Sequence, residues 1–313
     1  MSEQTPGWER KLLETLATDA LKEQRRRRRW GVFFKFVGVA YFGAFLWAVW
    51  SGRNPDGAID GSAHTAVIEI QGIISTNSQA SAERINTALR QAFKNRGTKG
   101  VILKINSPGG SPVQAGQIYD EIKRLKATNP EIPVYAVVEE LCASGGYYVA
   151  AAADRIYVDK ASLIGSIGVI MDGFGFTGAM EKIGVERRAL TAGDNKAFLD
   201  PFQPAVPGQV EFAKAMLADI HAQFIDAVRK GRGKRLHETP EIFSGLIWTG
   251  TKGIELGLAD ATGSVRSVAR DVIKAETIRD YTERESVFER IARRFGSTAA
   301  SAFMGQLAET HYR

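Results

Sequence analysis

A cysteine and a serine stand two residues apart in the stretch "ELCASGGYYVAAAADRIYV", Glu140 to Val158. Ser144 comes after a run that reads as strand and precedes two glycines and an Ala-rich apolar run that reads as helix. A nucleophile presented at a strand-to-helix turn has this pattern. A small-residue helix packed in a core has it too. Of the two candidate nucleophiles Ser144 is the better, because Cys142 lies in or just after the strand and a free cysteine is most often a small core residue. The order Ala-Ser-Gly-Gly is not the Gly-x-Ser-x-Gly elbow.

A second strand-to-helix turn is "INSPGGSP", residues 105–112. Glycines permit tight turns and close approach. Backbone N–H groups before a helix N-terminus can face a developing negative charge. The N–H of Gly145, next after Ser144, is expected to join that of Gly109 or Gly110 in holding an oxyanion. An ordinary βα turn explains the stretch equally well, and Ser107 and Ser111 read as turn and cap residues. No Gly-Lys-Ser/Thr comes after it, so it is not a P-loop.

A serine needs a base. His64, His221, His237 and His311 fall near neither turn and show no metal-ligand spacing. Lysine is the alternative: an amine desolvated in an apolar pocket loses its charge and can then take a hydroxyl proton. The candidate is Lys196 in "TAGDNKAFLDPFQP" (191–204), with Ala197, Phe198, Leu199 and Phe202 beside it. Most loop lysines are solvated, which is the competing reading.

These residues need a scaffold. Strands are expected at 65–74, 100–106, 132–140, "RIYVD", "GSIGVIM" and "VERRALTAG". Helices are expected at 81–95 with Ser81 as cap, 111–127 with Ser111 as N-cap and Pro112 at the first position, 144–153 and 177–184. The alternation predicts βαβ units and a largely parallel sheet. A long helix is expected from about Pro207 to Lys230, with Phe212, Met216, Ile220, Phe224 and Val228 as its apolar stripe. Residues 239–264 should wrap the sheet.

The formal charge is +6, but Arg25–Arg29 carries five of those charges, so no basic face argues for nucleic acid. One cysteine excludes an internal disulfide framework. Trp30–Trp50, "WGVFFKFVGVAYFGAFLWAVW", has about the length of a membrane-spanning helix. Trp30, Trp47 and Trp50 sit near its ends, and Lys35 is placed to snorkel. Eight positive residues precede it and only Arg53 comes closely after it, which predicts a cytoplasmic N-terminus and an extracytoplasmic domain. The expected layout is a basic cytoplasmic leader (1–29), a transmembrane helix (30–50), a linker (51–63), the main domain (64–275) and a helical C-terminal tail (276–313).

Together the segments "SPGG" (107–110), "ASGGYY" (143–148), "GSIGV" (165–169), "GDNKAF" and "WTGTKGIELGLAD" (248–260) resemble the signal peptide peptidase A family. These are membrane-anchored serine proteases with a Ser–Lys dyad. The resemblance spans roughly 64–270 and is closest to the short, single-domain members. It implies the α/β crotonase and Clp protease-like fold of repeated ββα units, assembled into homo-oligomeric rings. By matching position it implies Ser144 as nucleophile, Lys196 as general base, and Gly109 and Gly145 as oxyanion donors. Many members carry Lys-Ser after an aromatic residue, whereas here Asn195 precedes Lys196 and Ala197 comes next. The implied substrates are remnant signal peptides, no cofactor or metal is needed, and the dyad can be shared between adjacent subunits. A non-catalytic anchored scaffold, or an acyl-CoA hydratase or isomerase of the same superfold, are the rival readings. The tail, ending "GQLAETHYR", could reach a neighbouring active site.

Overall fold

The computed structural model describes residues 7–51 and 61–284. Two units result, divided at Asp60 and Gly61, and each is taken by itself. Residues 52–60 of the expected linker and 285–313 of the expected tail lie outside the described residues.

The first unit is one helix, α1 (Trp8–Ser51). The expected leader and span are therefore continuous from Trp8, with no break at the arginine run. Among the described residues no helix is long and apolar enough to cross a membrane. The side chains of residue 46 and of 48–50, within the expected span, are outside the described set.

In the second unit β1 (His64–Gln71), β2 (Thr98–Ser107) and β3 (Val134–Ala143) pair in parallel. They read as near-continuous apolar runs because most of their residues are buried from both faces. The crossover helices are α2 (Ala82–Lys94) and α3 (Pro112–Thr128). On α2 the buried Ile85, Ala88, Leu89 and Ala92 fall on one helical face, and on α3 so do Ala115, Ile118, Ile122 and Leu125. Ser111 caps α3 as expected, accepting from Gln114 N, and Pro112 takes the first turn. Ser81 sits at the N-cap of α2 but makes no capping bond. Gln114 Oε1 from the neighbouring helix accepts the Ala82 N–H instead, at 2.8 Å.

After β3 come α4 (Gly145–Ala150), β4 (Arg155–Val158) and β5 (Leu163–Gly165). Next are α5 (Thr177–Lys182), α6 (Pro207–Arg232), β6 (Ile247–Thr249), α7 (Gly250–Glu255), β7 (Ala261–Thr262) and β8 (Ile278–Asp280). The main path of the sheet is β6-β5-β3-β2-β1-β8, with β4 beside the first half of β3 and β7 beside β4. Among the described residues only β6 runs antiparallel to its neighbour. The architecture is thus a mixed, mostly parallel α/β sheet. The large core lies between the sheet and α2, α3 and α4, and a smaller one on the opposite face gathers Val67, Ile102, Val137, Tyr157 and Val268.

Several expectations need correction. Residues 166–171 and 185–193 form no strands. A strand needs a neighbour to complete its ladder, and Ile170 and Leu190 stand exposed without one in this chain. The stripe on α6 holds only at its C-terminal half: Phe224 and Val228 are buried, whereas Phe212 is 65% exposed. Every-fourth spacing drifts by about 40° per step, so such a row winds around the helix. The main domain also runs past 275, because β8 adds to the sheet beside β1.

Between α2 and α3, the almost fully buried Glu121 accepts from Arg90 Nε and Arg124 Nε, both at 2.7 Å. Arg124 foremost, then Arg90, hold its carboxyl at about 2, below its ordinary 4.5. The stability this adds is complete above about pH 4.5 and is lost as pH falls through about 2. Both arginines are half exposed, so screening limits the gain. Glu121→Gln should cost about 1–2 kcal/mol at pH 7. Denaturant melts at pH 7 and pH 2.5 should show that difference shrinking in acid.

Candidate active site

The site begins with an irregularity in β3. Ile105 of β2 pairs with Val138, yet Ser107 pairs with Cys142, so β3 carries two extra residues and bulges at Glu139–Leu141. Bulges bend a strand and re-aim its end. Beyond the bulge β3 leaves β4 and pairs with β5, Ala143 opposite Gly165. Lys104 spans the bend, reaching Glu69 at 2.9 Å and Glu139 at 3.2 Å. The ion pair with Glu69, then that with Glu139, outweighs partial burial and raises its amine above the ordinary lysine value.

Ser144 ends this strand in a backbone conformation that non-glycine residues rarely adopt, φ 51° and ψ −124°. Its N–H donates to Gly165 O at 2.8 Å, and its carbonyl accepts from Tyr148 N at 2.9 Å. Its hydroxyl is part-exposed and makes no capping bond. The turn is anchored from behind. Tyr147, fully buried, donates to Leu258 O at 2.7 Å, and Tyr148 stacks on Phe224 of α6. Backbone strain of this kind costs about 1–3 kcal/mol and persists only where packing enforces it. Cys142 is fully buried, and burial pushes its thiol far above the ordinary cysteine value. A thiol held protonated and out of reach is not a nucleophile.

The glycine turn meets the serine turn directly. Gly109 has φ +98°, and a Cβ there would lie 2.6 Å from Gly145 N and 2.7 Å from Ser144 Cβ. The expectation that Gly109 donates to an oxyanion is not supported by its hydrogen bonding, because its N–H already donates to Ser107 Oγ at 3.1 Å. Ser107 in turn donates to Gly72 O, and Gly109 O accepts from Ile74 N. Gly109 is therefore the close-approach residue. Gly110 N–H takes no part in the bonds that hold this turn, and Gly110 N lies 3.3 Å from where a Cβ on Gly145 would stand. Gly145, at the first position of α4, has no intrahelical acceptor. The open donors beside Ser144 are those of Gly110 and Gly145.

Lys196 stands apart. It is exposed, in a loop turned by Lys196 N–Gly193 O at 3.1 Å, and lines a cleft of about 530 Å³ with Arg187, Thr191, Phe198 and Asp200. Ser144 is not among the residues of that cleft. The structure thus brings Ser144, Gly145, Gly109 and Gly110 together, whereas Lys196 lies by the N-terminal end of α6, where Gln209 bonds Asn195, and Ser144 lies by Phe224, about 22 Å further along that helix, through its neighbour Tyr148. Sequence reasoning assigns Gly165 no role, although its carbonyl fixes Ser144. It has φ +106°, and a Cβ there would meet Trp248 Cδ1 at 3.0 Å. The signal that could reveal it is a glycine closing a short strand next to the site. Among the described residues no cluster of metal-ligating side chains occurs.

The fold and the paired turns agree with the comparisons. Residues 126–279 match the model of peptidase family S49, and 64–165 match that of Clp protease. "Serine protease SPPA, chloroplastic" of Arabidopsis thaliana is 30% identical over 65% of this chain and 30% of its own length. "Protease 4" of Haemophilus influenzae (strain ATCC 51907 / DSM 11121 / KW20 / Rd) is 29% identical over 68% of this chain and 34% of its own. The chain belongs to the signal peptide peptidase A family. A protein of Brucella abortus (strain 2308) named "Na(+)/H(+) antiporter NhaA" is 44% identical over 65% of this chain. The chain spans only 28% of that relative's length.

Gly109→Ala tests the close approach. The added methyl must displace the Ser144 turn, and the left-handed φ adds strain. The expected result is a loss of peptidase activity of about 10²-fold or more, with α-helical circular dichroism retained. Cys142→Ala should keep activity within about threefold, since the buried thiol only fills space.

Proposed function

We propose that this chain is a membrane-anchored serine endopeptidase that cleaves apolar peptides, remnant signal peptides in particular, through Ser144 and Lys196. The observation that carries the reading is the strained Ser144 set against the open N–H groups of Gly110 and Gly145. Family membership supports a serine peptidase. In the mechanism Ser144 Oγ attacks the peptide carbonyl carbon while the Lys196 amine takes the hydroxyl proton. The Gly110 and Gly145 N–H groups hold the oxyanion. The C–N bond then breaks, and Lys196 returns the proton to the leaving amine. Water, activated by the same amine, attacks the acyl ester and frees Ser144. No step calls for a metal or organic cofactor.

The separation of Lys196 from Ser144 within one chain favours a dyad shared by adjacent copies. Exposed apolar side chains support an assembly: Ile170, Phe174, Ile183 and Leu190 project from the segment that carries Lys196, Leu190 without any cover. Surfaces of this kind mark interaction sites. A neighbouring copy would also strip water from the lysine, as a neutral amine requires. The same segment walls a cavity of about 920 Å³ with Phe174, Leu199, Val206 and Leu217, together with Asp172, Asp194 and Lys214.

An anchor fits α1. Trp30, Phe33, Phe34, Phe36, Val39, Phe42, Phe45 and Trp47 are exposed around the helix, and a helix apolar all round is stable in lipid or buried in protein. The basic N-terminal flank favours a cytoplasmic N-terminus and an extracytoplasmic peptidase domain at the inner membrane.

The test uses the full chain in detergent and a quenched fluorescent peptide with an apolar core. Ser144→Ala and Lys196→Ala should each lower kcat/KM by roughly 10³-fold or more. Mixing the two variants under subunit exchange should restore activity. Full activity in Lys196→Ala removes the lysine from the mechanism. Recovery absent after verified exchange places both residues on one chain.

A further inference from the structure

The arginine run is unexplained by the peptidase site. It lies in the unbroken helix α1, immediately before the apolar stretch. Arg25–Arg29 are all exposed. Among the described residues, Arg27 pairs with Glu23 at 4.0 Å, and Arg25, Arg26, Arg28 and Arg29 have no carboxylate partner. Four unpaired guanidinium groups within about one helical turn repel one another, a cost that bound anions offset.

The run is not isotropic. At about 100° per residue, Arg25, Arg28, Arg29 and Val32 share one face, and Lys35 lies one turn deeper near the same face. These three arginines and Val32 line a cleft of about 540 Å³. Trp30 lies on another face, its ring 5.7 Å from those of Phe33 and Phe34, whereas Phe36 falls on the arginine face one turn beyond Val32. Guanidinium groups present paired N–H donors that match phosphate oxygens. Val32, which lines the cleft with them, suits an acyl chain entering the hydrocarbon region.

We infer that Arg25, Arg28 and Arg29, with Val32 and Lys35 beneath them, bind the phosphodiester headgroup of an acidic glycerophospholipid. This rests on the anchor reading, because only insertion of the apolar stretch brings these residues to headgroup level. The site fixes the depth of the helix, and it makes the enzyme's membrane environment selective for acidic lipid. It is distinct from general attraction of positive charge, since Arg26 and Arg27 point elsewhere.

The experiment reconstitutes the full chain in phosphatidylcholine nanodiscs containing a trace of fluorescent phosphatidylglycerol, read by energy transfer from the protein's tryptophans. Carbonate extraction of the same preparation reports insertion independently. Wild type should enrich phosphatidylglycerol over fluorescent phosphatidylcholine. Arg25→Gln/Arg28→Gln/Arg29→Gln should lose on the order of tenfold to a hundredfold of that preference. Arg26→Gln/Arg27→Gln should lose no more than about threefold. Extraction of the wild type by carbonate would defeat the anchor reading. An inserted chain with no preference for phosphatidylglycerol would defeat the site alone. Equal losses per arginine in both variants would reduce it to unspecific charge. Displacement of the lipid by inorganic phosphate, or by a nucleic acid duplex at similar concentration, would also overturn it.

Discussion

Two strand-to-helix turns approach each other so closely that only hydrogen atoms fit between them. Gly109 presses on Ser144 Cβ and Gly145 N, and Ser107 holds Gly109 from the other side. Ser144 accepts a left-handed backbone because this packing leaves it nothing else. The bulge in β3 moves the strand end from β4 to β5, so that Gly165 can take the Ser144 N–H. The buried Tyr147 and the Tyr148–Phe224 stack then fix α4 behind it. A serine hydroxyl, two unspent backbone donors and a rigid support result. Under the proposed mechanism these groups are aligned before a substrate arrives, which is where much of the catalytic free energy of acyl transfer lies.

The part of the chain from β1 to β4 is legible from residue types because local preference and tertiary burial agree there. Strands buried on both faces write continuous apolar runs, and α2 and α3 write one-sided stripes. The serine and glycines of the site are legible for a related reason: unusual backbone conformations restrict the residues that can adopt them. The place of Gly109 can be read from the sequence but its part cannot, since no spacing rule reveals that Ser107 Oγ takes its N–H. Segments 166–171 and 185–193 have strand-like composition and no partner strand in this chain, so pattern alone misleads. β8 is hidden because three residues beside a mixed-charge tail carry no period.

Two surfaces remain that one solvated chain does not satisfy. Aromatic side chains of α1 are exposed, as is the apolar edge around Ile170, Phe174 and Leu190. The second surface lies on the segment that holds Lys196, so under the proposed mechanism a contact that covers it would also bring Lys196 to a Ser144. Under the proposed mechanism, a fold that separates Ser144 from Lys196 in this way would tie activity to assembly. An unassembled copy would then leave surrounding polypeptides intact.

The central claim is that Ser144 is the residue acylated by substrate. The most direct measurement is the mass of the full chain, quenched during turnover of a slowly deacylated peptide ester and mapped by proteolysis. The account predicts an added acyl group on the peptide containing Ser144, absent in Ser144→Ala. An acyl group on any other residue, or undiminished turnover by Ser144→Ala, would contradict it.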